Sequence, residues 1–103
     1  VVAVTLFDLL RAFHEVVKRF EALRKMEVEQ EDVTVEQKIE DIRRLFLVHE
    51  RLLFSSFFEE ARSKRHLIVT FLAILEMVRL REIWIYQKRA FGEIEILKAK
   101  ETA

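Results

Sequence analysis

Three histidines, His14, His49 and His66, are the side chains that could move protons near neutrality. They lie far apart in the chain, none belongs to a Ser, His and Asp constellation, and no two stand at metal-ligand spacing. His14, beside Phe13 on the border of an apolar stripe, reads as a surface or hydrogen-bonded residue. The only glycine is Gly92 and there is no cysteine, so neither a phosphate-cradling loop nor thiolate chemistry is available. No catalytic residue, metal site or cofactor is assigned. Recognition is the chemistry that remains, and two sets of residues offer it. Arg62, Lys64, Arg65 and His66, with Lys88 and Arg89, could touch a nucleic-acid backbone or form an ordinary solvated turn. The second set is apolar, made of Val69, Leu72, Ala73 and Leu80 with Trp84 and Tyr86, and aromatic residues of this kind dominate interface energetics.

The whole-chain balance favours the second set. Eighteen Lys and Arg offset eighteen Asp and Glu in 103 residues, so no long-range field gathers nucleic acid or an anionic membrane. That points to a protein partner and one small domain. The absence of cysteine suits a reducing cytoplasm. No apolar run approaches the roughly 20 residues that cross a bilayer, and the start VVAVTLFDLLRAF has no basic leader. A soluble chain with no membrane role is expected. It begins without methionine and enters a helix almost directly, as a fragment of something longer would. One glycine and no proline leave no linker or repeat, so the elements must be placed by periodicity.

Thr5 and Asp8 form a capping-box pattern, and Leu6, Leu9, Leu10, Phe13, Val16, Val17 and Phe20 follow at helical spacing, predicting an amphipathic helix over 6–24. Each of these side chains would contribute on the order of 1.5 to 3 kcal/mol if buried, so the stripe must dock on the rest of the chain or on another protein. Residues 26–33, MEVEQEDV, alternate in part like an edge strand. Thr34 and Gln37 cap a second helix to about Val48, with Val35, Ile39, Ile42, Leu45 and Phe46 inward. Glu36, Lys38, Glu40, Asp41, Arg43 and Arg44 form its solvated face. A strand over Leu52, Leu53 and Phe54 is followed by a short helix begun by Ser56 with Glu59.

Ser63 then caps a long helix ending near Leu80. Eleven of the fourteen residues 67–80 are apolar, too many for a helix that hides one face. Leu67, Phe71, Ile74, Leu75 and Val78 form a core side. Val69, Leu72, Ala73, Glu76 and Leu80 form the other, which the first helix, a second monomer or a partner could cover. Glu76 could pair within the domain or across an interface. In the hairpin that follows, Ile83, Ile85, Ile94 and Ile96 define the inner face, turning Trp84 and Tyr86 outward. Residues 89–92 form the turn, where Gly92 is expected at positive φ, Gln87 bonded to the turn backbone and Phe91 folded back to close it.

Helix, short strand, short helix, long helix and hairpin is the order of a winged helix-turn-helix domain, mainly α with a small β-hairpin and preceded by an amphipathic helix. The domain is expected over 28–98, with 1–27 leading into it and 99–103 as a frayed tail. A DNA-binding regulator is the alternative that this fold alone allows. The helix argues against it, since Val69, Leu72, Ala73 and Leu80 offer no polar contact to bases and Glu76 would repel phosphate.

The stretch VTFLAILEMVRLREIWIYQKRAFGEIEI resembles the C-terminal segment of prokaryotic members of the kleisin family. The match is carried by Phe71, Leu72, Ala73, Leu75 and Glu76, then Ile83, Ile85, Gln87, Phe91, Gly92 and Ile94, and extends more weakly back to Thr34. The resemblance implies a non-enzymatic subunit of a structural-maintenance-of-chromosomes (SMC) complex, cytoplasmic and associated with the nucleoid. It further implies that the winged helix docks on an SMC ATPase head and meets DNA only through the complex. Contact with segregation and condensation protein B would use regions mostly outside this chain, as would the ring closure made with the family's N-terminal domain.

Overall fold

The computed structural model describes residues 3–23 and 33–100. Its elements are α1 (Leu6–Ala22), α2 (Val35–Val48), β1 (Arg51–Leu53), a 3-10 helix (Phe54–Phe58), α3 (Lys64–Arg79), β2 (Ile83–Gln87) and β3 (Ile94–Lys98). This is the mainly helical, winged-helix-like arrangement expected. The edge strand expected over 26–33 lies outside the described residues except for Val33, which is not in a strand.

Local chemistry starts each helix. The Thr5 hydroxyl accepts from the Asp8 N–H at 3.3 Å while the Asp8 carboxylate accepts from the Thr5 N–H at 2.8 Å, which completes the capping box of α1. Thr34 and Gln37 repeat the exchange at α2, at 3.1 and 3.0 Å. At α3 the Ser63 hydroxyl accepts from the His66 N–H at 3.1 Å. The short helix differs from expectation. It starts at Phe54 and ends at Phe58, and Ser56 is not its cap but donates its hydroxyl to the Leu53 carbonyl at 2.7 Å. Starting there buries Phe54, Phe57 and Phe58 together.

The sheet is three-stranded and antiparallel in the order β1-β3-β2, so that the short strand expected over 52–54, found at Arg51–Leu53, joins the expected hairpin. Ile85 faces Ile96 and Gln87 faces Ile94 across the β2–β3 ladder, while Leu52 faces Ile96 across β1–β3. The period of two thus gathers the isoleucines on the inner face. Above that face the aromatic rings interlock. Phe13 of α1 stacks on Phe71 of α3 with centroids 4.4 Å apart, and Phe54 meets Phe71 edge-on at 6.2 Å. Leu9, Val16 and Phe20 complete the buried side of α1, but Leu6 and Leu10 of the expected stripe remain exposed.

Phe71 and Ala73 point to opposite sides of α3. With α1 stacked on the Phe71 side, α2, which packs closely along α3, covers the other. Val69 (9% exposed) and Ala73 (0%) are therefore core residues and not parts of an open second face. Thr70 lies in the same layer, its hydroxyl donating to the His66 carbonyl at 2.8 Å, so that this buried oxygen is not stranded. On α2, Ile39, Ile42 and Phe46 are buried as expected. Leu45 is instead exposed, and Lys38, expected in solvent, is buried.

The corner between α3 and β2 is built by backbone bonds. The Glu82 N–H reaches the Met77 carbonyl at 2.9 Å and the Arg81 N–H the Val78 carbonyl at 3.0 Å. This is a Schellman cap, which requires a left-handed residue at its penultimate position. Glycine is the usual occupant, yet here Arg81 takes it at φ 61°, a conformation that costs a non-glycine residue about 1 kcal/mol. Glu82, the next residue, is gripped from α2. The Arg43 guanidinium donates to its two carboxylate oxygens at 3.0 and 2.6 Å and also bonds Glu40. Arg43 was expected only in solvent, so this tie across the fold is an addition.

That tie makes stability depend on pH. The hydrogen bonds from Arg43 hold the Glu82 carboxyl below the usual glutamate range. A carboxyl with a depressed folded-state value stabilises the fold fully above its unfolded value and loses that contribution as pH falls through the folded one. The urea midpoint is therefore expected to drop on acidification from about pH 5 to about pH 3, and Glu82→Gln to flatten that drop. An unchanged slope in the variant would show that Glu82 does not contribute.

Candidate protein-docking surface

The apolar residues that remain exposed are set by the layers just described. Because α1 and α2 take two sides of α3, a strip carrying Leu72 (45% exposed) and the terminal Leu80 (46%) stays open, with Ile68 one helical turn before Leu72 on the same face. On the sheet, strand alternation that buries Ile83 and Gln87 turns Trp84 outward, 48% exposed, and leaves Tyr86 half-buried across from Glu95. Of the seven residues read as partner-facing, Leu72, Leu80, Trp84 and Tyr86 thus keep accessible surface. Glu76 is half-buried and bonds within the helix to Arg79, whose Nε donates at 3.1 Å. This bond holds the Glu76 carboxyl low and ionised.

Trp84 also borders a groove that the sequence reading missed. It has a volume of about 460 Å³ and runs between Val4 and the start of α1 (Leu6, Leu9), the end of α3 (Leu75, Val78) and β2. The missing signal was tertiary. Leu75 and Val78 were placed in the core, and only the way α1 lies across them leaves them half-buried at a groove wall.

The wing is held by Gln87, whose Nε2 donates to the Gly92 carbonyl at 2.8 Å, as expected from its inward phase. Two details of the turn are corrected. Phe91, not Gly92, takes the positive φ, at 61°. Phe91 also does not fold back. It is 78% exposed, with the Arg11 guanidinium of α1 lying 4.6 Å from its ring centre. Glycine is needed at 92 for a different reason. A Cβ there would stand 3.0 Å from both the Arg89 carbonyl oxygen and its Cγ, and the carbonyl accepts the Gly92 N–H. Gly92→Ala is expected to cost about 1 kcal/mol by urea denaturation, since backbone rather than a flexible tip must shift.

The basic residues form no built site. Arg62, Lys64, Arg65, Lys88 and Arg89 are exposed, but Lys64 stands 3.5 Å from Glu21 of α1. Among the described residues, no group of histidines and carboxylates could hold a metal ion, and no helix is long and apolar enough to cross a membrane.

Residues 1–98 match the family model for segregation and condensation protein ScpA. The chain belongs to the ScpA family. It is 36% identical over 99 residues to segregation and condensation protein A of Mycoplasma mobile, covering 95% of this chain and 39% of that protein. The protein of the same name in Thermoanaerobacter sp. (strain X514) is 34% identical over 90 residues, or 86% of this chain and 37% of the relative. That of Bacillus velezensis is 33% identical over 97 residues, 91% and 38%. The chain thus spans less than two fifths of the length of these curated ScpA relatives.

Proposed function

We propose that this chain is the C-terminal winged-helix part of a ScpA-type kleisin, a non-enzymatic subunit that docks on an SMC ATPase head and serves chromosome segregation and condensation. In this reading residues 1–27 lead into a winged-helix domain over 28–98, followed by a short tail. The complex is cytoplasmic and nucleoid-associated. Segregation and condensation protein B binds elsewhere in the family's chain, and DNA is met through the assembly. Any ATPase chemistry belongs to the partner.

The observation that carries the reading is the outward, half-exposed Trp84 over an apolar groove in a chain of zero net charge. Family membership supports a role in chromosome segregation and condensation. A DNA-binding regulator is not favoured, because Leu72 of α3 and Leu80 at its C-cap are exposed and apolar and the Lys64 ammonium already has a carboxylate beside it. The test is co-purification of the chain with an SMC ATPase head, alongside DNA titration at varied salt. Retention of the head is expected. Failure to retain it, with sub-micromolar DNA binding that falls steeply with salt, would replace docking by the regulator reading.

A further inference from the structure

We infer that the groove beside Trp84 receives an apolar segment of the protein partner that carries a carboxylate, and that Arg81 reads this carboxylate. The inference rests on the docking reading and goes beyond it by naming the chemistry of what is docked. Three observations bear on it. The groove walls are apolar, from Leu6 and Leu9 of α1 to Val78 of α3 and Ile85 of β2, and among the described residues lining it Arg81 is the only charged one. Arg81 is exposed and forms no ion pair among the described residues, whereas Arg43 and Arg79 nearby are both taken up by glutamates. It also occupies the left-handed position of a Schellman cap, where the fold itself would favour glycine.

An arginine without an ion-pair partner among the described residues, exposed at the rim of an apolar cleft, matches a segment that is apolar along its length with one acidic side chain at the Arg81 end. The carboxylate would accept a forked pair of N–H bonds from the guanidinium while the apolar side chains displace water from the walls. A phosphate would satisfy Arg81 but leave those walls uncovered. A second copy of the chain is the other possible occupant, and the test must distinguish it.

Trp84 is the only tryptophan, so its emission reports this groove alone. The whole chain is titrated with short leucine- and valine-rich peptides that differ only in one residue, glutamate, glutamine or lysine. A blue shift of Trp84 is expected, with the glutamate peptide binding about tenfold tighter than the glutamine one at low salt. Arg81→Glu should transfer the preference to the lysine peptide. Arg81→Gly should abolish discrimination while raising the Tm, a combination that a purely structural arginine would not give. Equal binding of the glutamate and glutamine peptides, or no shift with any, overturns the inference. So does a blue shift on concentrating the chain alone with doubling of its mass, which makes a second copy the occupant. Retention of an SMC head by both wild type and Arg81→Glu, with peptides that do not discriminate, removes the groove assignment and leaves docking intact. Discrimination among peptides without retention of the head removes only the docking reading.

Discussion

Phe71→Ala is expected to remove roughly 3 to 5 kcal/mol of folding stability, a large share of the roughly 5 to 15 kcal/mol that a domain of this size has. Phe71 is 6% exposed and links α3 to two other elements through rings alone. Phe13 lies flat against it at 4.4 Å with an interplanar angle of 5°, Phe54 meets it edge-on, and α3 carries it. Truncation would strip the stacked partner from α1 and leave a void between two rigid helices that cannot collapse without moving the 3-10 helix. Phe71→Leu, which keeps most of the volume, should cost about 1 to 1.5 kcal/mol. Urea denaturation monitored by circular dichroism measures both, and a loss below about 1 kcal/mol for the alanine variant would show that α1 does not rest on this ring.

The second large effect is on binding. Trp84→Ala combined with Leu72→Glu is expected to weaken retention of an SMC head by at least about thirtyfold, the scale on which loss of a central aromatic anchor shows. Both positions are about half exposed, at 48% and 45%, so the variant should remain folded with a stability change of about 1 kcal/mol. A folded double variant that binds the head as wild type does would sink the docking surface. Ala73→Glu serves as the contrast. Ala73 has no accessible surface, and a carboxylate there should unfold the α2–α3 layer instead of acting on binding.

What could be read before the structure was local. Thr5 with Asp8 and Thr34 with Gln37 close their rings within four residues, so residue type and spacing suffice to place both helix starts. Gln87 and the four isoleucines were equally legible, because a period of two leaves one inner face for them to share. What escaped depends on residues distant in the chain. Nothing in Leu52 or Leu53 shows that β1 will pair with β3, and nothing in the run 67–80 shows which of its two apolar sides α2 will take. The left-handed residues escaped for the opposite reason. At Arg81 and Phe91 the backbone bonds of the turn override side-chain preference, so looking for glycine led to Gly92 instead.

The order β1-β3-β2 also bears on how the protein can be made. The strand that both others need is the last described element to leave the ribosome. Until it emerges, β1 and β2 have no ladder partner, and the buried Ile94 and Ile96 are missing from the core. Local capping can nucleate the helices early, but closure of the sheet waits for residues 94–98, about forty residues after β1, a long-range step of the kind that is entropically slow. A nascent chain halted before residue 94 would hold capped helices around an unsealed aromatic layer, which is the form that chaperones and proteases would meet.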